Sequence, residues 1–200
     1  MHTPTRLNLV LGLVLAGSLG LSSTAMARST GAPQASAPAQ VTSFNITEAE
    51  VIAAQRAWGD ALVRISRDFE SGGLARARAT ANAVIDAAYG YQFGPVLFKP
   101  TLTTAPQTFR TTREGALAYF VGDNRNFPDD KGFALKGWRS VEIRKVAIQL
   151  HGNTALSMGN VMLTDRAGKV TTVDKTWGYV RDDKGALRIV LHHSSLPVTR

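Results

Sequence analysis

The chain has 200 residues and no cysteine. That single absence removes disulfides, thiolate nucleophiles and cysteine-based metal sites. Histidine is almost as scarce, with four in all: His2 near the start, His151 in an expected turn, and the adjacent His192 and His193. Acidic residues are also short in supply, 15 against 23 basic ones, for a net charge of +8. The basic residues are dispersed and fit no recognition motif, which argues against nucleic acid as a partner. Their excess suits attraction of small anions or anionic surfaces, and equally an ordinary basic exported protein.

A long apolar run occurs only at the N-terminus. Arg6 precedes a mostly apolar stretch from Leu7 to Leu21, and Ala25-Met26-Ala27 offers a small-x-small cleavage pattern. Residues 1–27 therefore read as a secretory signal peptide cleaved after Ala27, with a periplasmic or secreted destination. The run is too short and too broken by glycine for stable membrane insertion; an uncleaved signal anchor is the alternative. Residues 28–42, poor in bulky apolar side chains, read as a flexible tether. Residues 43–200 are long enough for one well-cored domain and short for two.

Within that domain, Thr47-Glu48-Ala49-Glu50 forms a capping box, and Val51, Ala54, Trp58, Leu62, Ile65 and Phe69 recur at helical spacing. Ser71-Gly72-Gly73 stops this helix, and an alanine-rich one follows from Leu74 to Tyr89 with Gly90 as a left-handed terminator. The short link predicts an antiparallel helix pair. A third helix is expected to start at Thr111-Thr112-Arg113-Glu114 as a second capping box. From Ser140 the period becomes two, predicting strands over 140–151, 154–164, 170–180 and 187–194 joined by Asn-, Asp- and Gly-rich turns. Residues 95–99 and 107–110 are candidates for short additional strands. The fold class is α+β: about three N-terminal helices packed on a curved, mainly antiparallel sheet, a cone similar to the nuclear-transport-factor-2-like fold. Such a cone encloses a concave pocket suited to a ligand.

Alternation along the last strand puts Arg188, Val190, His192 and Ser194 on one face, and Leu187, Ile189, Leu191 and His193 on the other. The two histidines thus point apart and cannot readily share one metal, and a catalytic zinc site usually needs three protein ligands. One histidine packed in the core and the other exposed is the plain structural alternative. Lys99-Pro100 could aim Thr101 inward, or simply end an edge strand. Tyr119 sits on the third helix, where a packed ring with a tethered hydroxyl is the ordinary outcome.

Five segments taken in order carry a resemblance: 96–103 (Val-Leu-Phe-Lys-Pro-Thr-Leu-Thr), 115–122, 130–138 (Asp-Lys-Gly-Phe-Ala-Leu-Lys-Gly-Trp), Met158-Gly159-Asn160 and 192–197 (His-His-Ser-Ser-Leu-Pro). Together they resemble the iota-class carbonic anhydrases, a group also grouped with calmodulin-kinase-association-like and polyketide-cyclase-like domains. The likeness spans about Trp58 to Pro197. It implies reversible hydration of carbon dioxide to bicarbonate in the cone. By motif, the bicarbonate-binding threonine, tyrosine and serine fall on Thr101, Tyr119 and Ser194, with Ser195 as the neighbouring alternative. The expectation is a site without a metal, although members using zinc or manganese leave those ions open. His192, on the face of Ser194, is the expected proton relay because histidine titrates near neutrality; Lys99 is either an attractor for bicarbonate or an exposed lysine. A non-catalytic anion-binding or oligomerisation module on the same fold is the competing reading, and a homodimer through sheet faces is compatible with both.

Overall fold

The computed structural model describes residues 44–198, so the expected signal peptide and the whole of the tether lie outside the described residues. The elements are α1 (Glu48–Ala88), β1 (Leu97–Lys99), α2 (Arg113–Val121), β2 (Trp138–His151), β3 (Thr154–Asp165), β4 (Val170–Arg181) and β5 (Leu187–Ser195). Single 3₁₀ turns precede β1 and β2. The strands form one sheet in the order β1-β5-β4-β3-β2, antiparallel except where β1 runs parallel to β5. This is the helix-and-sheet α+β arrangement expected from the pattern.

The capping box at Thr47 is present: its side chain accepts from the Glu50 amide and the Glu50 carboxylate receives the Thr47 amide. Arg181 of β4 also donates to Glu50 through Nη2 at 2.7 Å. These bonds hold the Glu50 carboxyl down at about 2 and pin the helix start to the sheet. α1 is two helical limbs joined at Gly73, whose φ of 68° and ψ of −168° lie outside the helical region, a conformation that glycine supplies without a Cβ clash. Residues of both limbs, among them Ala57 and Ala61 from the first and Ala83 and Ala87 from the second, line one groove, so the limbs lie side by side as expected. Val51, Trp58, Leu62 and Ile65 of the first limb and Ala77, Ala81 and Ile85 of the second are buried with Val161, Leu163, Val173, Trp177 and Tyr179 of the sheet. Each large aliphatic side chain so buried contributes about 1.5–3 kcal/mol.

Local details differ from the sequence reading. Gly90 has φ −90°, and Tyr89 caps α1 in an extended conformation. Thr112 rather than Thr111 caps α2, accepting from the Gly115 amide; no capping box forms, because the third residue after the cap is glycine and Glu114 instead receives Asn124 and Asn126. Residues 107–110 form no strand, yet the Arg110 amide donates to the Phe98 carbonyl at 2.8 Å and so runs beside β1. Register shifts between Trp138 and Ser140, Lys145 and Ala147, and Gly178 and Tyr179 mark irregularities of the bulge type, which bend strands and raise their twist. Among the described residues, no helix is long and apolar enough to cross a membrane.

The loop beside α2 is held by a buried ion pair. Arg110 donates to Asp130 through Nε at 2.8 Å and Nη2 at 2.9 Å, with both side chains 2 % exposed. Gly122, at φ 65°, lets the chain turn at the end of α2 and pass against residues 130–132; a Cβ there would stand 3.1 Å from the Asp130 carbonyl oxygen. Removing one partner leaves a buried charge unmatched. Arg110→Met is therefore expected to lower unfolding stability by about 3–5 kcal/mol in urea titrations, with much of the loss recovered when Asp130→Leu is added. A single substitution costing under about 1 kcal/mol would mean that the pair is not sealed from water.

Candidate active site

β5 supplies one wall of the site. It pairs Phe98 with His192 on its β1 edge, and Trp177 with His192 and Lys175 with Ser194 on its β4 edge. His192 and Ser194 are each 1 % exposed while His193 points outward, as alternation predicted for these three. The upstream half corrects the expected faces. The register jumps so that Gly178 faces Leu191 and Tyr179 faces Ile189. That extra residue brings Ile189 onto the buried side with His192, not onto the side of His193. Ser195 also changes status: it lies with His193, Val146 and Met158 along a hollow on the outer face, which Asp174 and Lys175 also line.

Thr101, Tyr119 and Ser194 are brought together. The hydroxyls of Thr101 and Ser194 are 2.5 Å apart. Thr101 reaches this point because β1 lies against β5 and Pro100 turns the chain over the strand end. Lys99, half-buried, donates to the Ser194 carbonyl at 3.2 Å, so it braces the strand and is not a free surface lysine. Tyr119, on α2, is 4 % exposed. Its ring stacks on Phe133 at 5.3 Å and meets the Phe98 face edge-on at 5.7 Å. Its hydroxyl is buried without a hydrogen-bond partner, although the Thr101 hydroxyl and the backbone of Thr101 and Leu102 are near enough to oppose the upward push of burial on its pKa. An unmet buried hydroxyl costs about 1–3 kcal/mol, and here it stands beside two others. A cavity of about 160 Å³ opens at Tyr119, with Leu102, Asp129 and Phe133 in its wall and Lys131 and Lys136 at its exposed edge.

Behind this trio lies His192, expected from the sequence, among groups that sequence reasoning missed. His192 is stacked on Phe98 at 4.6 Å and enclosed by Trp58, Trp177 and Tyr89. Its Nδ1 is 2.9 Å from the Tyr89 hydroxyl, which also accepts from Trp58 Nε1 at 3.1 Å. Its Nε2 is 2.7 Å from Lys175 Nζ. Lys175 is 3 % exposed, and its Nζ lies 4.5 Å from the centre of the Trp58 ring. Burial brings the Lys175 ammonium down to about 7. Burial, then the neighbouring Lys175 and His193, push His192 well below its ordinary value. The expected reason for a His192 relay, titration near neutrality, thus does not hold, since the ring is neutral there. A signal for Lys175 was present: Val173, Lys175, Trp177 and Tyr179 fall at period two, which puts a lysine on an otherwise apolar face. Tyr89 and Trp58 gave no such signal, being indistinguishable from core aromatics.

Among the described residues, no group of three or more His, Asp or Glu side chains is placed to hold a metal ion. The site is instead a cluster of neutral hydroxyls against an aromatic wall, suited to holding a small polar molecule and stabilising oxygen atoms that gain charge.

Comparison with known proteins is consistent across sequence and structure. The family model for metal-independent carbonic anhydrases matches residues 49–196. A metal-independent carbonic anhydrase of Nostoc sp. (strain PCC 7120) is 66% identical over 152 residues, covering 76% of this chain and 74% of that protein. The crystal structure of an iota-carbonic anhydrase from a cyanobacterium, complexed with bicarbonate, is similar with a TM-score of 0.79 and 63% identity, over 80% of this chain and 98% of the other. A calcium/calmodulin-dependent protein kinase II association domain of Xanthomonas campestris shares the fold, with a TM-score of 0.50 and 23% identity over 78% and 91% of the two chains.

The buried amine has a thermodynamic signature. Between pH 10.5, its ordinary value, and about 7, the unfolded chain binds a proton at Lys175 that the folded chain does not. Stability is therefore lost as pH falls through that window and levels off below it, at up to about 1.4 kcal/mol per pH unit. In urea titrations, the stability advantage of Lys175→Met over wild type is expected to shrink as pH is raised from 7.5 to 9.5. A difference constant across that range would count against a neutral buried amine.

Proposed function

The chain belongs to the iota-class, metal-independent carbonic anhydrases, and from that premise we propose that it interconverts carbon dioxide and bicarbonate with the hydroxyls of Thr101, Tyr119 and Ser194. The observation that carries this reading is the Thr101–Ser194 hydroxyl pair beside the unpartnered Tyr119 hydroxyl. That arrangement leaves donors and acceptors for one water and for the two oxygens of carbon dioxide. The bicarbonate complex of the cyanobacterial relative supports the choice of substrate.

The hydroxyls hold the water with a lone pair facing the carbon. As the new C–O bond forms, one C=O electron pair moves onto oxygen, and that oxygen accepts from the fixed donors. The apolar wall of Phe98, Phe120 and Phe133 keeps bulk water away and admits an apolar gas. A zinc-bound water is more acidic than bulk water by about nine pKa units, each of about 1.36 kcal/mol. A site without a metal therefore does without about 12 kcal/mol of help in making hydroxide, and preorganised donors and an exact place for the proton must share that task. The family is metal-independent, in agreement with the expected lack of a cofactor. Lys131 and Lys136 at the cavity edge favour an anionic product.

Stopped-flow carbon dioxide hydration tests this directly. Wild type is expected to be active after chelation, and Thr101→Ala, Tyr119→Phe and Ser194→Ala each to lose about 10²–10³-fold in kcat while still unfolding cooperatively. Ser195→Ala, on the outer face, should retain full activity. A wild-type protein inactive both after chelation and with added zinc or manganese favours the competing reading, a non-catalytic anion-binding or assembly module.

Delivery and assembly complete the proposal. A cleaved signal over residues 1–27 would place the enzyme in the periplasm or outside the cell, and exposed Val146 and Met158 on the outer sheet face support a homodimer. The protein recovered from an osmotic-shock fraction is expected to begin at Arg28 and to sediment as a dimer. Recovery with residues 1–27 in place opposes the cleaved signal, and a monomer at micromolar concentration opposes the dimer.

A further inference from the structure

Trp58, Tyr89, His192 and Lys175 form a buried chain that the hydroxyl mechanism leaves unused, and its polarity follows from counting donors. Trp58 Nε1 can only donate, so the Tyr89 oxygen, 3.1 Å away, is the acceptor. The proton of Tyr89 then has one partner within reach, His192 Nδ1 at 2.9 Å. A neutral ring that accepts at Nδ1 carries its proton on Nε2, and that N–H points at Lys175 Nζ, 2.7 Å away. An ammonium has no lone pair to receive it. The donors of Trp58, Tyr89 and His192 are all satisfied only when Lys175 is an amine.

Strand register also sets the Lys175 residue beside Ser194 of the hydroxyl trio. Lys175 and Ser194 are direct partners across the β4–β5 ladder, both are buried, and directly opposed residues present their side chains on the same face about 5 Å apart. Ser194 in turn meets the Thr101 hydroxyl at 2.5 Å. We propose that Lys175 is the base that takes up the proton released when water adds to carbon dioxide, with Ser194 passing it and His192 as the positioning residue that keeps the amine neutral at rest. This rests on the carbonic anhydrase reading and deepens it.

The step balances. Water oxygen bonds to carbon and a C=O pair becomes a carboxylate lone pair; one water proton moves to the Ser194 oxygen as the Ser194 proton moves to Nζ. The products are bicarbonate and the Lys175 ammonium, which then gives its proton to a buffer base in solution. In the reverse direction the ammonium returns the proton and water leaves. The surroundings permit both states. Among the described residues Lys175 has no carboxylate partner. The groups around it are His192 from β5, the Tyr89 phenol behind that ring, Lys99 from β1 on the Ser194 carbonyl, and Trp58 from α1; β3 contributes Gly159 opposite, with no side chain. The Trp58 and Trp177 rings, at 4.5 and 5.8 Å from Nζ, stabilise the cation once formed. The Nε2–H that opposes the ammonium favours its release. A base poised near neutrality suits this cycle, and burial brings Lys175 to about 7.

The test is the pH dependence of carbon dioxide hydration in wild type and Lys175→Met. The expected result is a kcat lowered about 10²-fold or more, a KM changed by less than about 3-fold, loss of the near-neutral limb of the kcat profile, and partial rescue by a small primary amine or imidazole. His192→Gln is expected to move that limb without abolishing turnover. If wild type is active and Lys175→Met keeps its kcat and pH profile, the proposal is overturned while the hydroxyl site stands; if wild type itself is inactive, the reading beneath both is overturned. Should Lys175→Met fail to fold, NMR of wild type carrying ¹³C-lysine decides. A Lys175 Cε resonance titrating together with kcat supports the base, and one that stays ammonium-like across the active pH range overturns it.

Discussion

β5 is hydrogen-bonded along both edges, parallel to β1 and antiparallel to β4, and this double pairing sets the place of every chemical group in the site. From the β1 side it receives Phe98 under His192 and, two residues past the strand end, Thr101 against Ser194. From the β4 side it receives Trp177 and Lys175. The α1 limbs close the same face with Trp58, and Tyr89 follows directly after them. α2 contributes Tyr119. An antiparallel meander alone would have left β5 as an edge; the three-residue β1 covers it and makes a buried wall of what would otherwise be an exposed ladder.

That wall holds ionisable groups without counter-ions. In the Arg110–Asp130 pair the protein buries two opposite charges together, so neither has to be given up. Around His192 it does the reverse: burial removes charge from the imidazole and the amine, and the hydrogen-bond chain from Trp58 keeps the neutral forms satisfied. The first arrangement braces the loop beside Tyr119. The second creates an amine able to exchange a proton near neutral pH, and it costs stability as pH falls from the lysine range. A structural brace and a chemical device thus sit about α2 and β5 respectively, built from the same residue types under opposite electrostatic rules.

Much of the fold was legible because its signals are local. The capping box at Thr47, the apolar stripe of Val51, Trp58, Leu62 and Ile65, the break at Gly73 and the turns between the long strands all follow from near-neighbour spacing. The short range of those signals also accounts for the misses. Whether Thr111 or Thr112 caps α2 depends on how the chain enters from β1, and the register jump at Gly178 depends on what β4 presents to β5. Thr101, Tyr119 and Ser194 came from likeness to a family rather than from spacing, since the three are separated by 93 residues between Thr101 and Ser194 alone.

By itself the sequence determined the α+β order of elements, the opposed directions of His192 and His193, and the absence of cysteine chemistry. These rest on backbone periodicity and on composition, which tertiary contacts do not alter. Only the tertiary structure decided that Ser194 rather than Ser195 meets Thr101, that Ile189 crosses to the side of His192, and that Lys175 is buried against the imidazole instead of reaching solvent. The physical reason is that protonation state and hydrogen-bond polarity are properties of an enclosed neighbourhood. His192 is neutral and Lys175 is easily deprotonated because residues from α1, β1, β4 and the segment after α1 exclude water from both, and no stretch of chain short enough to be read as a motif contains that enclosure.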